Sequence, residues 1–234
     1  MTETTDFARL EQKWQIKFKN LDLLRQAFIH RSYLNEHPEN NLGHNERLEF
    51  LGDAVLELVV TDYLFKKYQT ENEGELTAYR AALVNSESLS AVAAEAGLND
   101  YLLLSRGEQK DTGRARQAIL ANTFESVVAA IFLDQGYDTA RDFIAKYLFS
   151  KTEEMVDKEL WRDAKSLFQE RAQAGLNITP NYQVISETGP DHDKIFTVGL
   201  YLNDELIAEG VGPSKQRAEQ EAARIGLLVK DWQK

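Results

Sequence analysis

The run His44-Asn45-Glu46-Arg47-Leu48-Glu49-Phe50-Leu51-Gly52-Asp53 decides how this chain is read. It opens a long, largely apolar segment, Glu46 to Tyr68, whose spacing predicts a helix. Glu46, Glu49 and Asp53 stand at i, i+3 and i+7, so a helix places them within one narrow arc. Leu48, Leu51, Val55, Leu58 and Val59 fall on other faces, which read as packing surface. Like charges on one stripe repel, and a helix gains nothing from them unless a cation joins them. A divalent-metal site is therefore the first hypothesis. Taken alone, the same stripe reads as a solvated helix face.

A second segment changes that balance. Ala121-Asn122-Thr123-Phe124-Glu125 sets two oxygen-bearing side chains, Asn122 and Glu125, at i, i+3 among Ile119, Leu120, Val127, Val128, Ile131 and Phe132. Polar groups on so apolar a helix are costly to bury unless paired or bound to a metal. Two helices each offering oxygen ligands could form a cage suited to Mg²⁺ or Mn²⁺, which prefer oxygen donors.

The chain around these segments has 234 residues, of which 43% are hydrophobic and 28% charged, a globular composition. With no cysteine it can build neither a disulfide framework nor a thiolate zinc site. No run approaches the roughly 20 apolar residues of a membrane span. The polar, acidic start Met1-Thr2-Glu3-Thr4-Thr5-Asp6 is unlike a signal peptide, and a cytoplasmic protein is expected. The net charge of −11 argues against a generally basic nucleic-acid binder. Residues 1–155 sum to about −8 and 156–234 to about −3, so any nucleic-acid contact has to use local patches and metal ions.

Helical patterns fill the chain to about residue 155. They cover Leu21 to Ile29, Glu46 to Tyr68, Glu75 to Val84, Ser86 to Ala96 with Gly97 as its stop, Ala118 to Leu133, and Thr139 to Phe149. Loops fall at Glu36–Gly43 and at the polar, basic Gly107–Arg116. A charged segment, Lys151 to Glu159, reads as a linker. Beyond it comes a short helix, Asp163 to Ala174, with Gly175 as cap. Three strands follow at Asn181–Glu187, Ile195–Leu202 and Glu205–Gly210, separated by Gly189-Pro190-Asp191 and Asn203-Asp204 turns. A last helix runs from Ser214 to Lys230. The expected fold class is mainly α: an all-helical domain over 1–155, then a small α-β-β-β-α domain within 156–234, its core at 161–230.

His44 through Asp53 resembles the signature of the bacterial ribonuclease III family. So do Ala27-Phe28-Ile29-His30-Arg31-Ser32-Tyr33, Glu73-Gly74-Glu75-Leu76-Thr77, Arg80-Ala81-Ala82-Leu83-Val84 and Ile119 to Glu125. The C-terminal unit is similar to the double-stranded-RNA-binding domain that follows the nuclease domain in that family. The likeness runs through nearly the whole chain in the family's order.

The resemblance implies an endoribonuclease that cleaves double-stranded RNA with a metal-activated water. Its products would carry 5′-phosphates, 3′-hydroxyls and short 3′ overhangs, and its substrates would be ribosomal RNA precursors and some messenger and transfer RNAs. It places Glu49, Asn122 and Glu125 as Mg²⁺ ligands, with Mn²⁺ as a substitute. Asp53 and Glu125 are implied as catalytic residues, and Glu46 and Glu73 as supporting carboxylates. Lys165, Gln169 and Glu170 would face one minor groove of the duplex, His192 the next, and Lys215, Gln216 and Arg217 the phosphates. The family's homodimer places Phe50 at a self-complementary interface.

Two departures stand out. Asn122 replaces the family's usual aspartate, and Gln216 interrupts the usual three basic residues. The first implies weaker metal binding, the second a shallower salt dependence of RNA binding. An alternative reading is a non-cleaving duplex-RNA-binding protein with a degenerate metal site. A helical protein-interaction module leaves the appended α-β-β-β-α unit unexplained. His30 and His44 read as structural residues and Trp14, Trp161 and Trp232 as packing anchors, while Arg106, Lys110, Arg114 and Arg116 flank a glycine-containing loop that could touch phosphates but needs no such role as a solvated loop.

Overall fold

The computed structural model describes residues 7–110, 112–157, 163–190 and 194–232. The chain divides into two compact units, residues 1–161 and 162–234.

The first unit is helical: α1 (Ala8–Trp14), α2 (Leu21–Ala27), α3 (Arg31–Glu36), α4 (Glu46–Lys67), α5 (Glu73–Val84), α6 (Ser86–Ala96), α7 (Arg114–Gln135), α8 (Tyr137–Leu148) and α9 (Thr152–Asp157). Local signals set the ends. Asn72 and Glu75 form a reciprocal capping box on α5, and Asn85 caps α6 by accepting from Ser88 N–H. Gly97 ends α6 at a φ of 87°, the left-handed conformation glycine tolerates. The unit's centre is α7, where Phe124, Val127, Val128, Ala129, Ala130 and Ile131 are wholly buried and pack on α4, α6 and α8. Among the described residues α7 is the one helix long and apolar enough to cross a membrane, and most of that stretch is buried inside this unit.

Three differences from the sequence reading have simple causes. The segment taken as linker is helical from Thr152 to Asp157, because Thr152, Met155 and Val156 share one face and pack on the core. Leu58, read as packing surface, is 58% exposed, since α4 is covered on the face of Leu48, Val55, Leu56, Val59 and Val60 alone. The short helices α1 and α3 were not expected: α1 is one of the shortest, anchored by buried Leu10 and Trp14, and α3 has no buried residue to give it a pattern.

The second unit holds α10 (Ala164–Leu176), β1 (Asn181–Thr188), β2 (Ile195–Leu202), β3 (Glu205–Gly212) and α11 (Lys215–Val229). The strands form one antiparallel sheet in the order β1-β2-β3, and both helices lie on one of its faces. Phe168, Leu200, Leu202, Ile207, Ala222, Ala223 and Leu227 make the core. At Gly210 a Cβ would stand 2.1 Å from Ala222 N and 2.2 Å from Ala218 O, so only glycine lets β3 approach α11 this closely. Helix α10 ends on Asn177 in the left-handed conformation, two residues beyond Gly175.

Candidate active site and nucleic-acid interface

The site forms where α4 crosses α7. The start of α4 is pinned before any charge is placed. The Asn45 backbone N–H donates to Ile29 O at 2.9 Å, and its buried amide donates to Ala27 O at 3.1 Å. Ser126 Oγ on α7 donates to Asn122 O at 2.8 Å and reaches Asn45 O at 3.4 Å. Nearly two turns further along α4 stands Gly52. A Cβ there would lie 1.8 Å from Glu125 O, so the two backbones touch at this point.

That contact sets Glu49 and Asp53, on either side of Gly52, against Asn122 and Glu125. Burial first, then the charges of Asp53 and Glu49, push the Glu125 carboxyl up to about 7. Burial and the charge of Glu46 also raise Glu49, with Asp53 adding to the effect. The Asn122 amide opposes this shift by donating to the Glu49 carboxylate. Glu49, Asn122 and Glu125 are half-buried, and Asp53 is exposed at the rim.

The donor set is all oxygen and carries mutual repulsion that a small cation would relieve, so its chemistry fits Mg²⁺ or Mn²⁺. Among the described residues no three His, Asp or Glu side chains alone are grouped closely enough to hold an ion.

The two carboxylates expected to support the site, Glu46 and Glu73, differ in their surroundings. Glu46 lies 3.8 Å from Arg31 Nη1 and 3.8 Å from His44 Nδ1, and its charge acts on Glu49. Glu73, exposed at the start of α5, accepts from Thr77 Oγ1 at 3.3 Å and is not among the charges that shift Glu49 or Glu125. His30 is a structural residue: its Nδ1 caps α3, accepting from Ser32 N–H, and burial lowers its pKa. Phe50 is 83% exposed on α4, and Leu58 and Phe65 lie along the same stripe at 58% and 70%. The sequence reading named Phe50 alone. The spacing of eight and seven residues that aligns the other two was the available signal.

In the second unit Lys165 and Gln169 stand at i, i+4 on one face of α10, and Gln169 and Glu170 are exposed. Lys165 Nζ is bonded to Glu219 at 2.6 Å and lies 5.0 Å from the centre of the Tyr182 ring. Lys215, Gln216 and Arg217 are exposed on the first turn of α11, which Ser214 caps by accepting from Arg217 N–H. Lys215 Nζ meets Glu187 Oε1 at 3.2 Å. Neither Glu187 nor Glu219 was singled out by sequence reasoning, because an acid opposite a base across a fold leaves no local spacing. His192 and Trp161 lie outside the described residues. Trp14 is buried and donates to Ala96 O at 3.1 Å, and Trp232 packs on Phe168.

A helical unit with a carboxylate-lined crossing, joined to an α-β-β-β-α unit, defines a class: a nuclease carrying a double-stranded-RNA-binding module. A sequence profile described as Ribonuclease-III-like matches residues 20–152, and one described as double-stranded RNA binding motif matches 164–229. Ribonuclease 3 of Borreliella afzelii is 44% identical over 212 residues, covering 91% of this chain and 86% of its own. Ribonuclease 3 of Dehalococcoides mccartyi strain 195 is 43% identical over 222 residues, covering 95% and 94%. A solved nuclease domain of ribonuclease III from Campylobacter jejuni superposes with a TM-score of 0.56 at 37% identity, over 62% of this chain and 97% of that one. The chain belongs to the ribonuclease III family and is a ribonuclease III-type endoribonuclease with a double-stranded-RNA-binding domain.

Proposed function

We propose that this enzyme hydrolyses double-stranded RNA at the α4–α7 crossing with Mg²⁺ as cofactor. We further propose that it works as a homodimer and leaves 5′-phosphate and 3′-hydroxyl ends with short 3′ overhangs. The observation that carries this reading is the convergence of Glu49, Asp53, Asn122 and Glu125 about Gly52, with Glu125 pushed up to about 7. Glu49, Asn122 and Glu125 would hold the ion. An ion held by these residues would supply acidification of the attacking water and charge compensation at the scissile phosphate.

The chain's own groups supply the rest. Asp53, exposed beside Glu125, orients the attacking water and receives its proton. Glu46, held near Arg31 and His44, supports Glu49. Glu73 is assigned to the same supporting role. Lys165, Gln169, Glu170 and His192 read the duplex through its minor grooves, and Lys215, Gln216 and Arg217 meet phosphates.

One centre cuts one strand, so staggered ends call for two centres. The apolar stripe of Phe50, Leu58 and Phe65 is suited to a two-fold contact. The Campylobacter jejuni nuclease domain is described as having a region involved in dimer formation. The proposed substrates are ribosomal RNA precursors and some messenger and transfer RNAs in the cytoplasm.

The presence of Asn122 in place of the family's aspartate favours one second reading, a protein that binds duplex RNA without cutting it. Incubation of the purified chain with a long labelled RNA duplex and Mg²⁺ separates the two. Short duplex products with 5′-phosphates, and intact single-stranded controls, are expected. A duplex left whole in both Mg²⁺ and Mn²⁺ would establish the second reading.

A further inference from the structure

We propose that Glu187 is an internal counter-ion that competes with RNA phosphate for Lys215 and Lys194, holding the module's affinity and salt dependence below what its lysines alone would give. The inference rests on the reading of Lys215 as a phosphate contact.

Glu187 lies near the end of β1, paired in register with Phe196 on β2. Its two oxygens face different ammonium groups: Oε1 is 3.2 Å from Lys215 Nζ, and Oε2 is 3.8 Å from Lys194 Nζ. Lys215 Nζ is also 5.7 Å from the centre of the Phe196 ring, so the aromatic platform and the carboxylate together fix where this ammonium sits. One anion between a lysine just before β2 and a lysine that opens α11 stands where a phosphate with two free oxygens could stand. The carboxylate therefore marks the anion position and fills it.

The pairing is weak enough to be exchanged. Lys215 is 57% exposed in its side chain and Glu187 38%, and ion pairs this open contribute little. A duplex phosphate brings the same charge and releases condensed counter-ions on binding, which a carboxylate on the same chain does not. While Glu187 stays in place, it offsets part of the Lys215 charge that would otherwise face the RNA. Lys165 and Glu219 form a related pair at 2.6 Å, but both are more buried and tie α10 to α11. Removing Glu219 would thus disturb the fold, and Glu187 offers the cleaner test.

The test measures binding of the full chain to a duplex RNA of about 25 base pairs, in chelator so that no cleavage occurs, across a range of KCl. Glu187→Gln is expected to bind about three- to fivefold tighter at low salt, the effect of one exposed pair. Its plot of log affinity against log salt should be steeper by on the order of one ion. Lys215→Gln should weaken the wild type and cancel the gain when combined with Glu187→Gln. Unchanged or weaker binding by Glu187→Gln, with an unaltered slope, overturns the proposal. Should Glu187→Gln unfold early, Glu187→Thr, which keeps strand preference, takes its place with the same expected sign. If Lys215→Gln alone binds like the wild type, it is the reading of Lys215 as a phosphate contact that fails. If Lys215→Gln weakens binding while Glu187→Gln leaves it unchanged, that reading stands and the counter-ion does not.

Discussion

Gly52 on α4 and the carbonyl of Glu125 on α7 touch so closely that a Cβ at position 52 would lie 1.8 Å from the oxygen. The contact is backbone against backbone, so no side chain can swing away to relieve it. Gly52→Ala is expected to push the helices apart and cost about 3 kcal/mol of stability, the upper range for overpacking. Urea denaturation measures the cost. An unchanged midpoint would mean that α4 and α7 do not meet here.

Glu125 carries a pH signature. Its carboxyl is raised to about 7 by burial, then by Asp53 and Glu49. A carboxyl raised in the folded state disfavours folding once ionised, so this contribution worsens as pH climbs from about 4.5 to 7 and is constant above. In metal-free protein, Glu125→Gln should therefore raise the melting temperature more at pH 8 than at pH 5.5. An equal change at both would contradict the assigned environment. Mg²⁺ added near pH 7 should release protons, which calorimetry in buffers of different ionisation enthalpy detects.

Asn122 donates to Glu49 where the family's usual aspartate would repel it. Asn122→Asp is expected to make the metal-free protein less stable at pH 8. The same change should lower the Mg²⁺ concentration that gives half-maximal cleavage. A higher or unaltered Mg²⁺ requirement would remove Asn122 from the proposed ligand set.

The stripe of Phe50, Leu58 and Phe65 should hold two copies together. Charge at Phe50 would face an apolar partner, and loss of one central aromatic anchor costs about 2 kcal/mol or more of association energy. Phe50→Asp should therefore shift sedimentation towards the monomer at micromolar protein. A wild-type chain that sediments as a monomer would refute the dimer.

How much of this was legible in the sequence follows from the range of each interaction. Helices α4, α6 and α7 announce themselves through local spacing, and Gly97 through its place at a helix end. The carboxylate stripe Glu46, Glu49 and Asp53 was visible because one helix fixes its members. That Gly52 lets α4 meet Glu125 was not, since a close approach between residues 73 apart leaves no periodic trace. Glu187 against Lys215, and Glu219 against Lys165, were hidden for the same reason. Leu58 was misread because apolar periodicity cannot tell a core face from an unpartnered one.

On this reading Glu49, Asp53, Asn122 and Glu125 cleave the RNA, and their loss leaves its binding by the second unit intact. The most direct measurement compares wild type, Asp53→Asn and Glu125→Gln on one labelled RNA duplex, reading binding by gel shift in chelator and cleavage in Mg²⁺. All three are expected to bind alike and only the wild type to cut, the variants slowed at least about a hundredfold. Cleavage by Glu125→Gln at the wild-type rate would contradict this reading.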